Sequence, residues 1–225
     1  MDELVEYVQS ELTRLADPDK APQMAAYLKT DMPFYGVPTP DRRQIGRHLK
    51  REFAPESAAA YRAAVEALWE LPHREEKYLA IDVARAHPGF ITFEQLDLYQ
   101  KLIVEGAWWD FVDSIASGII GRVLLNDRTR MRPVLDEWID CDDMWLRRTA
   151  IISQLEHKEA TDPGMLFDYC LRRAFEKEFF IRKAIGWALR QYARTDPAAV
   201  TGFLLEHREQ LSGLSFREAA KHLSL

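Results

Sequence analysis

Met144-Trp145-Leu146-Arg147-Arg148-Thr149-Ala150-Ile151-Ile152 and Phe179-Phe180-Ile181-Arg182-Lys183-Ala184-Ile185-Gly186-Trp187 carry the same order of side chains: an aromatic, an aliphatic, two basic residues and a small residue. Two earlier segments, Glu76-Lys77-Tyr78-Leu79-Ala80-Ile81-Asp82-Val83-Ala84 and Ala107-Trp108-Trp109-Asp110-Phe111-Val112-Asp113-Ser114-Ile115, share an aromatic followed four residues later by aspartate. The interval from Trp145 to Phe180 is 35 residues, and from Asp82 to Asp113 it is 31. Helical hairpins repeating at roughly 34 to 47 residues stack into a solenoid, and without a tetratricopeptide consensus the pattern is HEAT-like. The four segments are then inner helices whose residues converge on one concave face.

Outside these segments, apolar residues keep helical spacing. Leu4, Val8, Leu12 and Leu15 form one stripe, Ile45, Leu49 and Phe53 another, and Tyr61, Val65, Leu68 and Trp69 a third. Short breaks separate them at Asp17-Pro18-Asp19, Pro38-Thr39-Pro40, Ala54-Pro55-Glu56-Ser57, His87-Pro88-Gly89, Asp162-Pro163-Gly164 and Thr195-Asp196-Pro197. Several place Ser, Thr or Asp before a stripe, with proline at the first helical position, which is N-cap chemistry. Strand-like alternation is absent. The predicted fold is all-α, a HEAT-like helical-repeat solenoid with a concave groove, in a single domain over residues 1–225.

Composition narrows the function. Hydrophobic residues make up 47% of the 225 and charged residues 29%, the balance of a folded globular chain. No apolar run reaches the roughly 18 residues that span a bilayer. The acidic start, Met1-Asp2-Glu3-Leu4-Val5-Glu6, does not read as a signal peptide, and two cysteines without CxxC spacing do not read as a disulfide framework. A cytoplasmic monomer is expected, with no membrane partner. Six scattered histidines in no ligand spacing predict no metal and no other cofactor. A net charge of −6 argues against a polyanionic ligand in general, although only a local stripe has to face phosphates.

Trp109 and Asp113 stand one helical turn apart, so ring and carboxylate share a face. Trp108 and Trp109, being adjacent, point roughly 100° apart, and one of them must leave the apolar stripe. An unpaired carboxylate in such a helix is costly; Arg148, in the following repeat, is the candidate partner. Trp187 offers a second indole, and indole faces beside an anion suit a developing cation. Trp69, Trp138 and Trp145 read as core. Arg147, Arg148, Arg182, Lys183, Arg190 and Arg194 are either solvated charges paired with nearby acids or, lined up by the repeat, a phosphate track. In the segment Tyr27 to Arg43, a helix ending near Thr30 gives way to a proline-flanked aromatic loop, with Thr39 or Asp41 as the next cap. Exposed aromatics followed by Arg42 and Arg43 suit nucleic-acid contact, and a packed plug fits the same residues equally well.

Taken in order, Lys29-Thr30-Asp31-Met32-Pro33-Phe34-Tyr35-Gly36-Val37, the Trp108-Trp109-Asp110-x-x-Asp113 motif, Trp145-Leu146-Arg147-Arg148-Thr149-Ala150-Ile151 and Phe179 through Trp187 resemble the AlkD family of DNA glycosylases over nearly the whole chain. The resemblance implies a fold that grips duplex DNA in its groove and excises alkylated purines without a cofactor. It implies a catalytic cleft of Trp109, Asp113 and Trp187, with Arg148 as a phosphate or active-site contact. Tyr27, Phe179 and Phe180 would lie along the DNA-facing surface, and Lys183, Arg190 and Arg43 complete the expected DNA contacts. Branches of the family that bind DNA structures without excision lack the full Trp/Asp set, which this chain keeps. Two other readings fit the residues: such a non-excising relative, or a HEAT-type protein-interaction scaffold, which the acidic balance favours.

Overall fold

Ser57, Asp143, Asp162, Asp196 and Ser212 each open a helix by accepting a hydrogen bond from a backbone N–H of the first turn. Pro163 and Pro197 follow two of these caps as first helical residues, where their missing N–H leaves nothing unsatisfied. In the computed structural model, which describes residues 1–225, regular structure is entirely helical, as the apolar stripes predict. No helix is long and apolar enough to cross a membrane.

The chain forms two compact units, Met1–Ile91 and Thr92–Leu225. The first holds α1 (Asp2–Arg14), α2 (Ala21–Leu28), α3 (Thr39–Glu52), α4 (Ala58–Trp69) and α5 (Arg74–Ala86). Its core is made of the predicted stripes: Leu4, Val8, Leu12, Ile45, Leu49, Tyr61, Val65, Leu68 and Trp69 are all buried. The second unit holds α6 (Leu96–Gly106), α7 (Trp109–Ile115), α8 (Gly121–Asn126), α9 (Arg128–Trp138), α10 (Met144–Ile152), α11 (Pro163–Arg172), α12 (Phe179–Tyr192), α13 (Pro197–Glu206) and α14 (Gly213–Ala219). There α10 packs against α6, α7 and α12, and α12 packs most closely on α14. Trp138 and Trp145 are buried as expected.

The loop between α2 and α3 resolves as a plug. Helix α2 stops at Leu28, with Lys29 in the left-handed region at φ 52°, and α3 begins at Thr39 behind Pro38. Neither Thr39 nor Asp41 is therefore the cap; extended Pro38 holds that place with no side-chain hydrogen bond. Phe34 and Val37 are buried, so the loop turns its hydrophobic residues inward rather than presenting them. Tyr35 is half-buried, stacks on His73 at 4.0 Å and donates its hydroxyl to Glu76 at 3.0 Å.

What holds the plug is a fully buried carboxylate. Glu75 accepts from the backbone N–H of Tyr35 (3.1 Å), Gly36 (2.8 Å) and Val37 (3.1 Å), three donors that the loop's lack of secondary structure leaves over. Gly36 makes this possible: its φ is 84°, and a Cβ there would lie 2.1 Å from the carbonyl oxygen of Asp17. Replacing Glu75 with alanine strands three buried donors, and the expected loss is about 3 kcal/mol or more. Urea unfolding of Glu75→Ala, with Glu75→Gln retaining part of the stability, checks this.

Candidate functional site

The site grows from a short break before α7. Ala107 adopts a left-handed conformation at φ 36°, ending α6, and Trp108 is extended, its carbonyl accepting from the N–H groups of Phe111 (3.2 Å) and Val112 (3.0 Å). Helix α7 then turns Phe111, Val112 and Ile115 fully into the core. Trp109 and Asp113, on the other face, are only half-buried. After Ile115 the helix widens into a π-type stretch over Ala116–Ile120, and Ser117 donates back to the carbonyl of Asp113 at 3.0 Å.

Helix α10 brings the counter-charge. Asp143 caps it by accepting from Trp145 N (2.8 Å) and Leu146 N (2.9 Å). One turn in, Arg148 is 3% exposed. Its Nε donates to Asp113 Oδ1 at 2.7 Å and its Nη2 to Oδ2 at 2.8 Å, a two-pronged fork on the carboxylate. Its Nη1 donates to the Phe180 carbonyl at 2.5 Å. One guanidinium therefore ties α7, α10 and the start of α12 together. Trp108, Trp145 and Phe180 pack against one another, with ring centroids 5.0 to 5.9 Å apart, and the Phe180 ring centroid lies 5.8 Å from the guanidinium carbon. The burial of Arg148 strengthens the pair.

Asp113 keeps 17% of its side chain exposed. Burial raises its pKa above the ordinary carboxylate value; the hydrogen bonds and charge of Arg148 pull against that rise, and Asp110 adds to it. The fork uses one lone pair on each oxygen, so each retains acceptor capacity towards solvent. Asp113 can thus present fixed negative charge and orient a water.

Trp187, half-buried, sits on α12 beside Gly186, whose absent side chain lets α14 close in. A Cβ on Gly186 would meet the Cβ of Glu218 at 2.5 Å and the Ser215 carbonyl oxygen at 2.8 Å. Ser215 Oγ donates to the Arg182 carbonyl at 2.9 Å, and Glu218 pairs with Lys183 at 2.7 Å and Arg190 at 2.6 Å. Those cations hold the Glu218 carboxyl below its usual range, Lys183 foremost. Lys183, Trp187 and Arg190 fall at i, i+4 and i+7, on one stripe of the helix.

Of the expected site residues, Asp113, Arg148, Phe180 and Trp109 are drawn together by these bonds or by sharing α7. Trp187 shares α12 with Phe180. Phe179 is exposed at the first turn of that helix, at 54%. Lys183 and Arg190 are engaged by Glu218, and Arg147 pairs with Glu176 at 2.9 Å. Arg148 faces inward. Tyr27, 75% exposed on α2, and Arg43, exposed on α3, belong to the first unit. Sequence reasoning missed the Phe180 carbonyl and the brace from Ser215 and Glu218. The one signal for that brace was a glycine in mid-helix, which marks close approach of another backbone.

A family model described as DNA alkylation repair enzyme matches residues 8–223. No curated protein matches the sequence. A solved structure described as a predicted DNA alkylation repair enzyme from Enterococcus faecalis is similar at 31% identity and a TM-score of 0.83, covering 93% of this chain and 97% of that one. AlkD2 from Streptococcus mutans shares the fold at 15% identity and a TM-score of 0.63, over 91% and 99% of the two chains. So does smu.31 from Streptococcus mutans UA159, at 14% identity and 0.59, over 81% and 100%.

Removing Arg148 leaves a buried carboxylate without its cation. Arg148→Met should lower unfolding free energy by about 3–5 kcal/mol. The double variant Arg148→Met/Asp113→Asn should recover part of that loss, because no anion is then stranded. Urea titration of the four proteins in the cycle measures the coupling.

Proposed function

We propose that this chain, which belongs to the DNA alkylation repair enzyme family, is a monofunctional DNA glycosylase that hydrolyses the N-glycosidic bond of N3- or N7-alkylated purines in duplex DNA. The observation that carries this reading is the Asp113 carboxylate, held by the Arg148 fork on the helix that also presents Trp109.

The chemistry follows from the charge on the lesion. A purine alkylated at N3 or N7 is already cationic, so it leaves without protonation and no general acid is required. As the bond breaks, its electron pair moves onto the purine and neutralises it, while positive charge develops on the deoxyribose, as in glycoside hydrolysis. Asp113 offers a pre-oriented anion to that oxocarbenium-like sugar. Water adds at the anomeric carbon and gives its proton to Asp113 or solvent, leaving an abasic site and a neutral alkylated base. Trp109 and Trp187 offer indole faces to the same cation. No lysine lies within a turn of Trp109 or Asp113, so no Schiff-base lyase step is drawn.

Within this reading Arg148 positions Asp113 rather than meeting a phosphate, because its donors are occupied inside the protein. The DNA contacts fall to the exposed Tyr27, Phe179 and Arg43, with Phe180 behind Phe179 as support. Lys183 and Arg190 would reach phosphate only by giving up Glu218.

Single-turnover release of N7-methylguanine and N3-methyladenine from methylated duplex DNA tests the proposal. Asp113→Asn should slow release by about 10²–10³-fold. Trp109→Ala and Trp187→Ala should each slow it by roughly 2- to 30-fold, the worth of one cation–π face. Unaltered methylated DNA with salt-sensitive binding would instead mark a non-excising DNA-binding protein, and no DNA affinity at all a protein-interaction scaffold.

The pH dependence carries a sign. Because burial raises the folded pKa of Asp113, ionising it costs stability as pH rises through that pKa, and the cost disappears at lower pH. Activity runs oppositely, since excision needs the anion. The rate should therefore fall on the acid side with an inflection above about 3.9, the ordinary aspartate value. Arg148→Met, which removes the group opposing the rise, should move the inflection to still higher pH.

A further inference from the structure

A π-type turn is wider and less well bonded than an α-turn, so a stretch of it persists where tertiary contacts hold it. The stretch Ala116–Ile120 separates α7, which carries Asp113, from α8. Two adjacent residues beyond the end of α10 hold it. Near its start, Ser117 Oγ shares its proton between the Asp113 carbonyl at 3.0 Å and Glu156 Oε1 at 3.2 Å. Just past its end, His157 Nε2 lies 2.9 Å from the Gly121 carbonyl oxygen. A carbonyl only accepts, so Nε2 carries the proton. His157 is buried, and its Nδ1 meets no partner. A proton on Nδ1 would find no acceptor, and burial holds the imidazole pKa below its usual value. The ring is therefore neutral and makes one directed bond.

The loop that presents Glu156 and His157 is itself braced. Gln154 Nε2 donates to the Asp162 carbonyl at 3.1 Å, and its Oε1 accepts from the Asp162 N–H at 2.8 Å. Lys158 turns the chain in the left-handed region at φ 52°, and the His157 carbonyl accepts from the Ala160 N–H at 2.9 Å. Gly121 lets this loop come close. A Cβ there would lie 2.4 Å from the Ser153 carbonyl oxygen and 3.3 Å from His157 Nε2. Helix α10 and its following loop thus reach the Asp113 segment at two places: the Arg148 fork on the carboxylate, and the His157 bond beyond the π-type stretch. One fork leaves α7 free to pivot about it. A second tether removes that freedom.

We propose that His157 is a positioning residue: through the Gly121 carbonyl it fixes the π-type stretch, and with it the register of α7 that sets Asp113 against Arg148. Ser117 assists at the near end of the same stretch. The role rests on the reading of Asp113 as the carboxylate that serves excision. A residue needed only to fill this space would be apolar, because a buried imidazole with a bare nitrogen carries a desolvation cost. The directed bond to Gly121 is what offsets that cost. Neither His157 nor Ser117 reaches the groove chemistry itself; both act through Asp113.

The test compares His157→Leu, His157→Gln and Ser117→Ala with wild type by two measurements. The first is the titration midpoint of the Asp113 carboxyl carbon by NMR, which needs no excision. The groups that set it are Arg148, which lowers it, and Asp110, which raises it. His157→Leu loosens the fork and should move the midpoint to higher pH, in the direction expected of Arg148→Met. The second is single-turnover release of alkylated purine. His157→Leu should slow it by about 10- to 100-fold, the effect of displacing a catalytic group by roughly 1 Å, with the duplex concentration for half-maximal rate unchanged. His157→Gln, whose amide can donate to Gly121, should restore both. Ser117→Ala should move both in the direction of His157→Leu by less, and it folds because the Asp113 carbonyl still accepts from the Ala116 N–H. If His157→Leu does not fold, Ser117→Ala and His157→Gln decide. A midpoint at or below the wild-type value overturns the proposal, whatever the melting temperature, as does a glutamine variant no better than leucine. So does a raised midpoint with unslowed release. If wild type excises nothing, the glycosylase reading falls, and the Asp113 midpoint still decides whether His157 holds the carboxylate in place.

Discussion

The fork from Arg148 to Asp113 is the interaction on which the second unit's site depends. A buried ion pair is costly unless its geometry and remaining donors are satisfied, and here they are. Both carboxylate oxygens are met, the third guanidinium nitrogen reaches the Phe180 carbonyl, and Arg148 is almost wholly withdrawn from solvent. Such a pair contributes orientation more than net stability. It holds one carboxylate in one place, and a catalyst for a reaction that develops positive charge needs its anion to be in position before the charge appears.

The same economy of charge recurs at other points. Glu75 is fully buried and still tolerated, since three backbone N–H groups of the α2–α3 loop converge on it. Glu218 neutralises two cations of α12 at the place where Gly186 lets α14 approach. In each case a carboxylate organises a neighbouring segment whose donors would otherwise go unsatisfied. A consequence is that many of the chain's basic residues serve its own architecture.

The helices were legible because their signal is local. Apolar stripes at 3.6-residue spacing, aspartate or serine before a proline, and glycine at a turn act within a few residues, and Ser57, Asp162 and Asp196 cap the helices they precede. Trp109 and Asp113 were legible as a pair for the same reason. The repeat spacing also identified Arg148 as the partner of Asp113, because equivalent helices in stacked hairpins are neighbours. The cap expected at Thr39 or Asp41 failed where a non-local contact, Glu75 on the loop, set the backbone instead. Of the basic residues read either as a phosphate track or as charges paired with nearby acids, Arg147 does pair with Glu176, whereas Lys183 and Arg190 take Glu218, 28 residues beyond Arg190, which no local reading offers.

By itself the sequence determined that this chain is helical, where most helices begin, and that an aromatic and a carboxylate share one face of α7. Tertiary structure alone decided which charges remain free, which carboxylates are buried, and how tightly α14 closes on α12. The physical reason is range. Helix propensity, capping and side-chain periodicity are settled by covalent neighbours, whereas the pairing and desolvation of a charge depend on groups that only folding brings within a few ångströms.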